Sequence, residues 1–179
     1  MTLQPWKILE SHHLHKNVRI DKCELPGGQV IDGFVLEFGD WVNVIALTHQ
    51  QDVVLVRQYR HGAQKVLLEL PGGVMDPEDE SPLHAARREL LEETGYTSDT
   101  FIQIGCLSPN PANHTNLIYS FLATDASLVG SQSLDDTEDI EVLLKPLDEV
   151  IAMAKNGELL QTMQVSAVFF ALAHLGRIA

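Results

Sequence analysis

Apolar and polar residues change rhythm along this chain. Residues 6–38 carry short, roughly alternating stretches, as a half-exposed sheet would. Residues 18–25 alternate until Pro26-Gly27-Gly28 breaks the run, and residues 30–38 resume it before a second turn at Gly39-Asp40. From Trp41 onward the runs become almost continuously apolar. Residues 41–48 and 52–59 flank His49-Gln50-Gln51 and predict a hairpin whose strands are covered on both faces. A short strand over 66–70 ends at Pro71-Gly72-Gly73, and further strands are expected over 101–107, 117–123 and 140–144. Two helices are predicted over 147–155 and 159–175, separated by Asn156-Gly157. The class is α/β, a sheet flanked by helices.

One segment carries an unusual charge pattern. Asp76-Pro77 marks a turn, Ser81 suits an N-cap, and Pro82 falls where its missing N–H costs nothing. A helix follows, and Gly95 can end it in a left-handed conformation. Leu83, Ala86 and Leu90 share an apolar face. Glu89, Glu92 and Glu93 stand at i, i+3 and i+4, on an adjacent face. Three like charges this close repel one another, which makes sense if a cation sits among them. For an all-oxygen site the natural guest is Mg²⁺ or Mn²⁺.

Composition narrows the partners. A chain of 179 residues can bury a sizeable core. Its net charge of −13 argues against nucleic acid and against anionic membrane. Such a protein needs local cations to bind a phosphate ester. Cys23 and Cys106 form no metal-ligand spacing and read as reduced thiols. The first seven residues lack the apolar core of a secretion signal, and the apolar run 165–172 is too short to span a bilayer. The expected location is the cytoplasm.

The residues Arg88-Glu89-Leu90, Glu92-Glu93 and Gly95-Tyr96 match in register the second half of the signature G-x5-E-x7-R-E-U-x-E-E-x-G-U, where U is apolar. The chain thus resembles the Nudix hydrolases. The first half departs from the pattern by one extra residue after Gly73. Glu80 keeps the seven-residue spacing to Arg88 and is the first choice for the leading glutamate; Asp79 is the alternative. The resemblance implies an α/β/α sandwich around a mixed sheet. Residues 1–40 look like the antiparallel β extension of the ADP-ribose pyrophosphatase branch, with 41–179 the Nudix domain. That branch implies a homodimer through the extension.

The resemblance also assigns roles. Glu89 and Glu93 would ligate metal, with Glu92 sharing the site and the Gly72 carbonyl as backbone ligand. Arg88 would orient the carboxylates. Glu138, in the acidic loop 134–139, is the first choice for metal ligand or general base, ahead of Asp136 and Glu141. Arg60 would reach the diphosphate; Arg57, on the opposite strand face, is its alternative. Glu69 would buttress the site or accept a ribose hydroxyl. Pro111 stands where ADP-ribose pyrophosphatases tend to carry a proline, and Asn113, His114 and Asn116 beside it are candidates for reading a sugar. Trp6, Phe34, Trp41 and Tyr59 are candidates for stacking on a base. The implied reaction is Mg²⁺-dependent hydrolysis of a nucleoside diphosphate sugar, first of all ADP-ribose to AMP and ribose 5-phosphate. ADP-glucose and GDP-mannose are the alternative substrates, and a non-catalytic nucleotide sensor is the alternative function.

Overall fold

The computed structural model describes residues 4–178, which fall into two compact units. The first holds β1 (Lys7–His15), β2 (Val18–Glu24) and β3 (Val30–Leu36), an antiparallel sheet in that order. The loop Ser108–Leu117 belongs to this unit, although the sequence division places it with the second. The reason is backbone pairing. The Leu36 N–H donates to the Asn113 carbonyl at 2.7 Å, and the Thr115 N–H returns a bond to Leu36 at 3.1 Å. The rings of Phe38 and His114 meet edge to face, 5.6 Å apart.

The second unit comprises Asp40–Leu107 and residues 118–178. Its strands are β4 (Trp41–Thr48), β5 (Asp52–Arg60), β6 (Lys65–Glu69), β7 (Tyr96–Thr97), β8 (Thr100–Leu107), β9 (Ile118–Leu128) and β10 (Ile140–Pro146). They form one sheet with the path β10-β5-β4-β9-β7, with β6 added to β5 and β8 to β9. The β4–β9 pair is parallel and the others are antiparallel, so the sheet is mixed. β9 runs past the expected residue 123 because its far end pairs with β7, too short to show a period of its own.

Strand alternation explains why the apolar runs of β4 and β5 are continuous. Val42, Val44 and Ala46 of β4 and Val54 of β5 face α1 (Pro82–Thr94), where they pack on Ala85, Ala86 and Leu90. Ile45, Leu47, Val53 and Leu55 face the other way, toward α2 (Leu147–Asn156) and α3 (Thr162–His174). Successive side chains point to opposite faces, so both sets are buried. The result is a three-layer α/β/α sandwich. On one face the layers approach closely. A Cβ on Gly105 of β8 would lie 2.6 Å from the Phe170 ring, so only glycine lets α3 sit there.

α1 departs from its expected apolar stripe at one position. Leu83 is 37% exposed while Ala85, Ala86 and Leu90 are fully buried, so the core-facing stripe starts later than expected. The consequence is measurable by urea denaturation. Leu90→Ala is expected to cost roughly 2–5 kcal/mol, the range for a buried leucine. Leu83→Ala is expected to cost less than about 1 kcal/mol. Equal losses would contradict this placement of the helix.

Candidate active site

The ends of α1 set its register. Ser81 Oγ accepts the His84 N–H at 3.2 Å, Pro82 fills the first turn, and Gly95 closes the helix at φ 73° with its N–H on the Leu91 carbonyl. In this register Glu93 falls on the buried face, 4% exposed. Glu89 lies one turn earlier, its side chain 12% exposed. Glu92 turns outward, 43% exposed at the side chain.

Arg88 organises the acidic residues around it. Its Nη1 donates to Glu92 at 2.9 Å and lies 3.1 Å from Glu89 Oε1. Its Nε and Nη2 donate to Asp79, at 3.3 and 2.9 Å. Asp79 also accepts the Asp76 N–H and lies 2.7 Å from His84 Nδ1, with its side chain only 1% exposed. The Arg88 guanidinium beside Asp79 holds that carboxyl well below the usual carboxylate range, and Asp79 in turn holds Arg88 charged. Asp79, not the exposed Glu80, is therefore the carboxylate of this loop that Arg88 holds. The Asp79 N–H bonds back to the Asp76 carbonyl, and this tight turn in the lengthened loop brings the shorter carboxylate to Arg88.

The loop after β6 sits between β4 and α1. The Pro71 and Gly73 carbonyls accept the N–H groups of Val44 and Val42. Between them the Gly72 N–H donates to Glu93 Oε2 at 2.8 Å. Gly72 lies at φ 149°, and a Cβ there would collide with the Val42 carbonyl. A Cβ on Gly73 would lie 2.6 Å from Glu89 Oε1. Gly72 is demanded by its close approach to a strand, whereas a Cβ at Gly73 would push the Glu89 carboxylate from its place.

A cleft of about 580 Å³ opens on these groups. Trp41, Arg60, Glu69, Gly72, Glu89, Glu93 and Glu138 all line it. The sequence reading named each of them. Its other candidates lie elsewhere. Arg88 and Glu92 stand behind the cleft wall in the ion-pair hub. Arg57 pairs with Glu141 across β5 and β10, where both side chains are about half exposed. Strand alternation puts it on the face opposite Arg60. Pro111 belongs to the first unit, in the loop Ser108–Leu117. Tyr59 is 57% exposed, on the outward side with Arg57.

Arg60 is oriented before any ligand arrives. Its Nε and Nη2 both donate to Glu69 Oε2, at 2.9 and 2.6 Å, and Gln58 adds a bond at 3.3 Å. Glu69 is 1% exposed, and its Oε1 has no hydrogen-bond partner among the described residues. Glu138 reaches the cleft because its loop is strapped to the end of α1. The Gln132 amide donates to the Glu93 carbonyl at 2.7 Å, and the Ser133 N–H donates to Glu92 at 2.8 Å. A turn then closes, with the Glu138 carboxylate accepting the Asp135 N–H at 3.0 Å.

Three contributions to the cleft went unread in the sequence. Gln58 shares a face with Arg60, and a period-two reading from Arg60 would have found it. Asn43 is 6% exposed, a polar residue inside an apolar strand, and that contrast was the available signal. The segment from Leu160 to Gln164 arrives from the far end of the chain with no local signal.

This arrangement has known relatives. The NUDIX domain model matches residues 39–163, well over half the chain. The chain belongs to the NUDIX family. An ADP-ribose pyrophosphatase of Bacillus subtilis is 27% identical over 150 residues, covering 83% of this chain and 80% of that protein. A GDP-mannose pyrophosphatase of Citrobacter koseri is 35% identical over 171 residues, covering 89% and 88%. A crystal structure of an ADP compounds hydrolase superposes with a TM-score of 0.85 at 23% identity, covering 99% of this chain and all of the other, and shows the same fold.

The donor set of this NUDIX site suits a hard divalent cation. Burial pushes Glu89 up to about 7, against the pull of Arg88, with Glu92 and Glu138 pushing further. Burial pushes Glu93 up to about 8; the Gly72 N–H opposes it, while Glu89 and Glu138 add to it. Two buried, mutually repelling carboxyls have only a shared arginine and one backbone N–H to answer them, and a cation would supply further compensating charge. Among the described residues no three His, Cys, Asp or Glu side chains stand close enough to hold an ion.

The shifts set a pH dependence. Both carboxyls have an ordinary value of 4.5 and hold their protons to about 7 and about 8 when folded. Between those limits the folded state binds more protons than the unfolded. Their contribution to stability is therefore full below 4.5 and lost as pH rises through about 8. The metal-free protein is expected to melt lower at pH 8 than at pH 5.5, and Mg²⁺ to raise Tm more at pH 8. Glu93→Gln is expected to flatten both trends in differential scanning fluorimetry.

Proposed function

We propose that this NUDIX protein hydrolyses the diphosphate bond of a nucleoside diphosphate sugar, with ADP-ribose as the first substrate, giving AMP and ribose 5-phosphate. The observation that carries this reading is the pair of buried carboxyls, Glu89 and Glu93, facing a cleft that also presents a pre-oriented arginine. The names of the relatives supply the substrate class: ADP-ribose for one, GDP-mannose for another.

Each residue has work in this reaction. Glu89 and Glu93, with the Gly72 carbonyl and Glu138, would hold Mg²⁺ or Mn²⁺. The bound cation supplies Lewis-acid charge at the diphosphate and makes water more acidic. Arg60 binds the diphosphate with the N–H donors that Glu69 leaves unused. Water attacks one phosphorus in line, the P–O bond to the other phosphate breaks, and Glu138 takes the water's proton. Arg88 and Glu92 keep the helix and loop in register from behind the wall. Trp41 offers an aromatic surface in the cleft.

The protein acts as a homodimer in this proposal. The first unit leaves Trp6, Ile8, Leu14 and Phe34 between 47% and 64% exposed, and all of β1 is exposed. Apolar side chains along an unpaired edge strand call for a cover. A second copy of this chain is our choice. We place the protein in the cytoplasm, where its free thiols Cys23 and Cys106 would stay reduced.

A substrate panel with Mg²⁺ tests the activity: ADP-ribose, ADP-glucose, GDP-mannose, NADH and diadenosine tetraphosphate. ADP-ribose is expected to give the highest kcat/KM, and Glu93→Gln to lose about 100-fold or more. A GDP-sugar as favourite would move the specificity and keep the chemistry. Tight nucleotide binding without turnover would make the protein a sensor. Sedimentation at micromolar concentration is expected to give a dimer; a fully active monomer would overturn that part.

A further inference from the structure

We infer that Gln164 is a positioning residue of the hydrolytic site, acting through the 70–73 loop on Glu93. The inference rests on the metal-site reading above. Gln164 belongs to the first turn of α3 and is 4% exposed. Its Oε1 accepts the Leu70 N–H at 2.8 Å. Its Nε2 donates to Gln161 Oε1, also at 2.8 Å. Both ends of the buried amide are thus satisfied. Gln164 lies one residue beyond the span matched by the family model.

The loop explains why this bond reaches the site. Leu70 is 3% exposed, so its N–H has no water to turn to. Pro71 has no N–H and a fixed φ. The next N–H in the chain is that of Gly72, and it holds Glu93 Oε2. β4 fixes the carbonyls on either side, at Pro71 and Gly73. The loop is therefore held by β4, by α1 and, through Gln164, by α3. β4 lies so close behind Gly72 that a Cβ there would meet the Val42 carbonyl.

Removing the Gln164 carbonyl leaves a buried N–H unpaired. That cost falls two residues before the donor that orients Glu93, and rotation of the peptide toward another acceptor would relieve it. In the native loop the Gly72 N–H holds Glu93 Oε2 at 2.8 Å. A rotated loop would loosen that hold on the carboxylate. Gln161 and Gln164 also line the cleft, so the same amide sets part of its wall.

The test uses the full chain and Mn²⁺ itself as probe. Gln164→Met keeps the volume and removes both polar atoms. Gln164→Glu keeps an acceptor for Leu70. Mn²⁺ affinity is read by electron paramagnetic resonance without substrate, folding by urea denaturation, and kcat and KM on ADP-ribose. Gln164→Met is expected to unfold cooperatively, to bind Mn²⁺ about 10-fold or more weakly, and to lose kcat at limiting metal. Gln164→Glu is expected to recover Mn²⁺ affinity to within about threefold of wild type. Wild-type affinity in Gln164→Met, or equal loss in both variants, overturns the inference. If Gln164→Met does not fold, Gln164→Asn, one methylene too short to reach Leu70, carries the same comparison. A wild type that binds Mn²⁺ but turns over no substrate sinks the hydrolase reading and leaves the affinity comparison to judge Gln164. A wild type that binds no Mn²⁺ overturns both.

Discussion

Everything at the catalytic end of this protein follows from burying Glu89 and Glu93 one turn apart on α1. Water would normally stabilise those charges. Here the fold offers Glu93 one backbone N–H and Glu89 one shared arginine, which is too little to keep both ionised near neutral pH. The neighbouring devices keep the pair in place despite that cost. Asp79 and Glu92 hold Arg88, so Glu89 keeps a cation beside it without receiving it whole. The two glycines let the loop come close enough to deliver an N–H. The caps at Ser81 and Gly95 fix the helix register that makes Glu93, not Glu92, face inward.

The sandwich serves the same end. α1 docks through small and apolar residues at Ala85, Ala86 and Leu90, all fully buried. Its glutamates are thus carried at a fixed height over the edge of β4. On the opposite face α2 and α3 complete the core, and the start of α3 reaches the rim of the cleft. The cleft lies where the loop after β6 and the helix that follows it meet the acidic loop before β10, which comes from a later part of the chain.

How much of this the sequence disclosed depends on the range of the interaction. Ser81, Pro82 and Gly95 act on their own helix, so local chemistry revealed both ends. The β4–β5 hairpin was legible because two apolar runs flank a short polar turn. Arg60 and Arg57 were separable because strand alternation puts them on opposite faces. The choice between Asp79 and Glu80 was not, because spacing in sequence favoured Glu80 while the turn at Asp76 presents Asp79. Leu83 misled because an apolar residue at the right spacing in the first turn of a helix can still be left partly exposed. Gln164 bonds a backbone 94 residues away, and no local pattern announces that.

The charge balance of the cleft favours a cation alongside any diphosphate ligand. Four carboxyls line it, Glu69, Glu89, Glu93 and Glu138, against one arginine. Arg60 is already engaged with Glu69, so its charge is largely answered before a diphosphate approaches. Its remaining donors give direction more than attraction. A dianionic diphosphate entering such a cleft with all four carboxyls ionised would meet net repulsion, and burial favours the protonated forms of Glu89 and Glu93 near neutral pH. Protonating Glu89 and Glu93 would relieve that repulsion but remove the donors that give the site its chemistry. A divalent cation relieves it and keeps the carboxylates ionised. The burial that makes the metal-free site unfavourable therefore couples cation and substrate: each makes the acidic cleft more hospitable to the other.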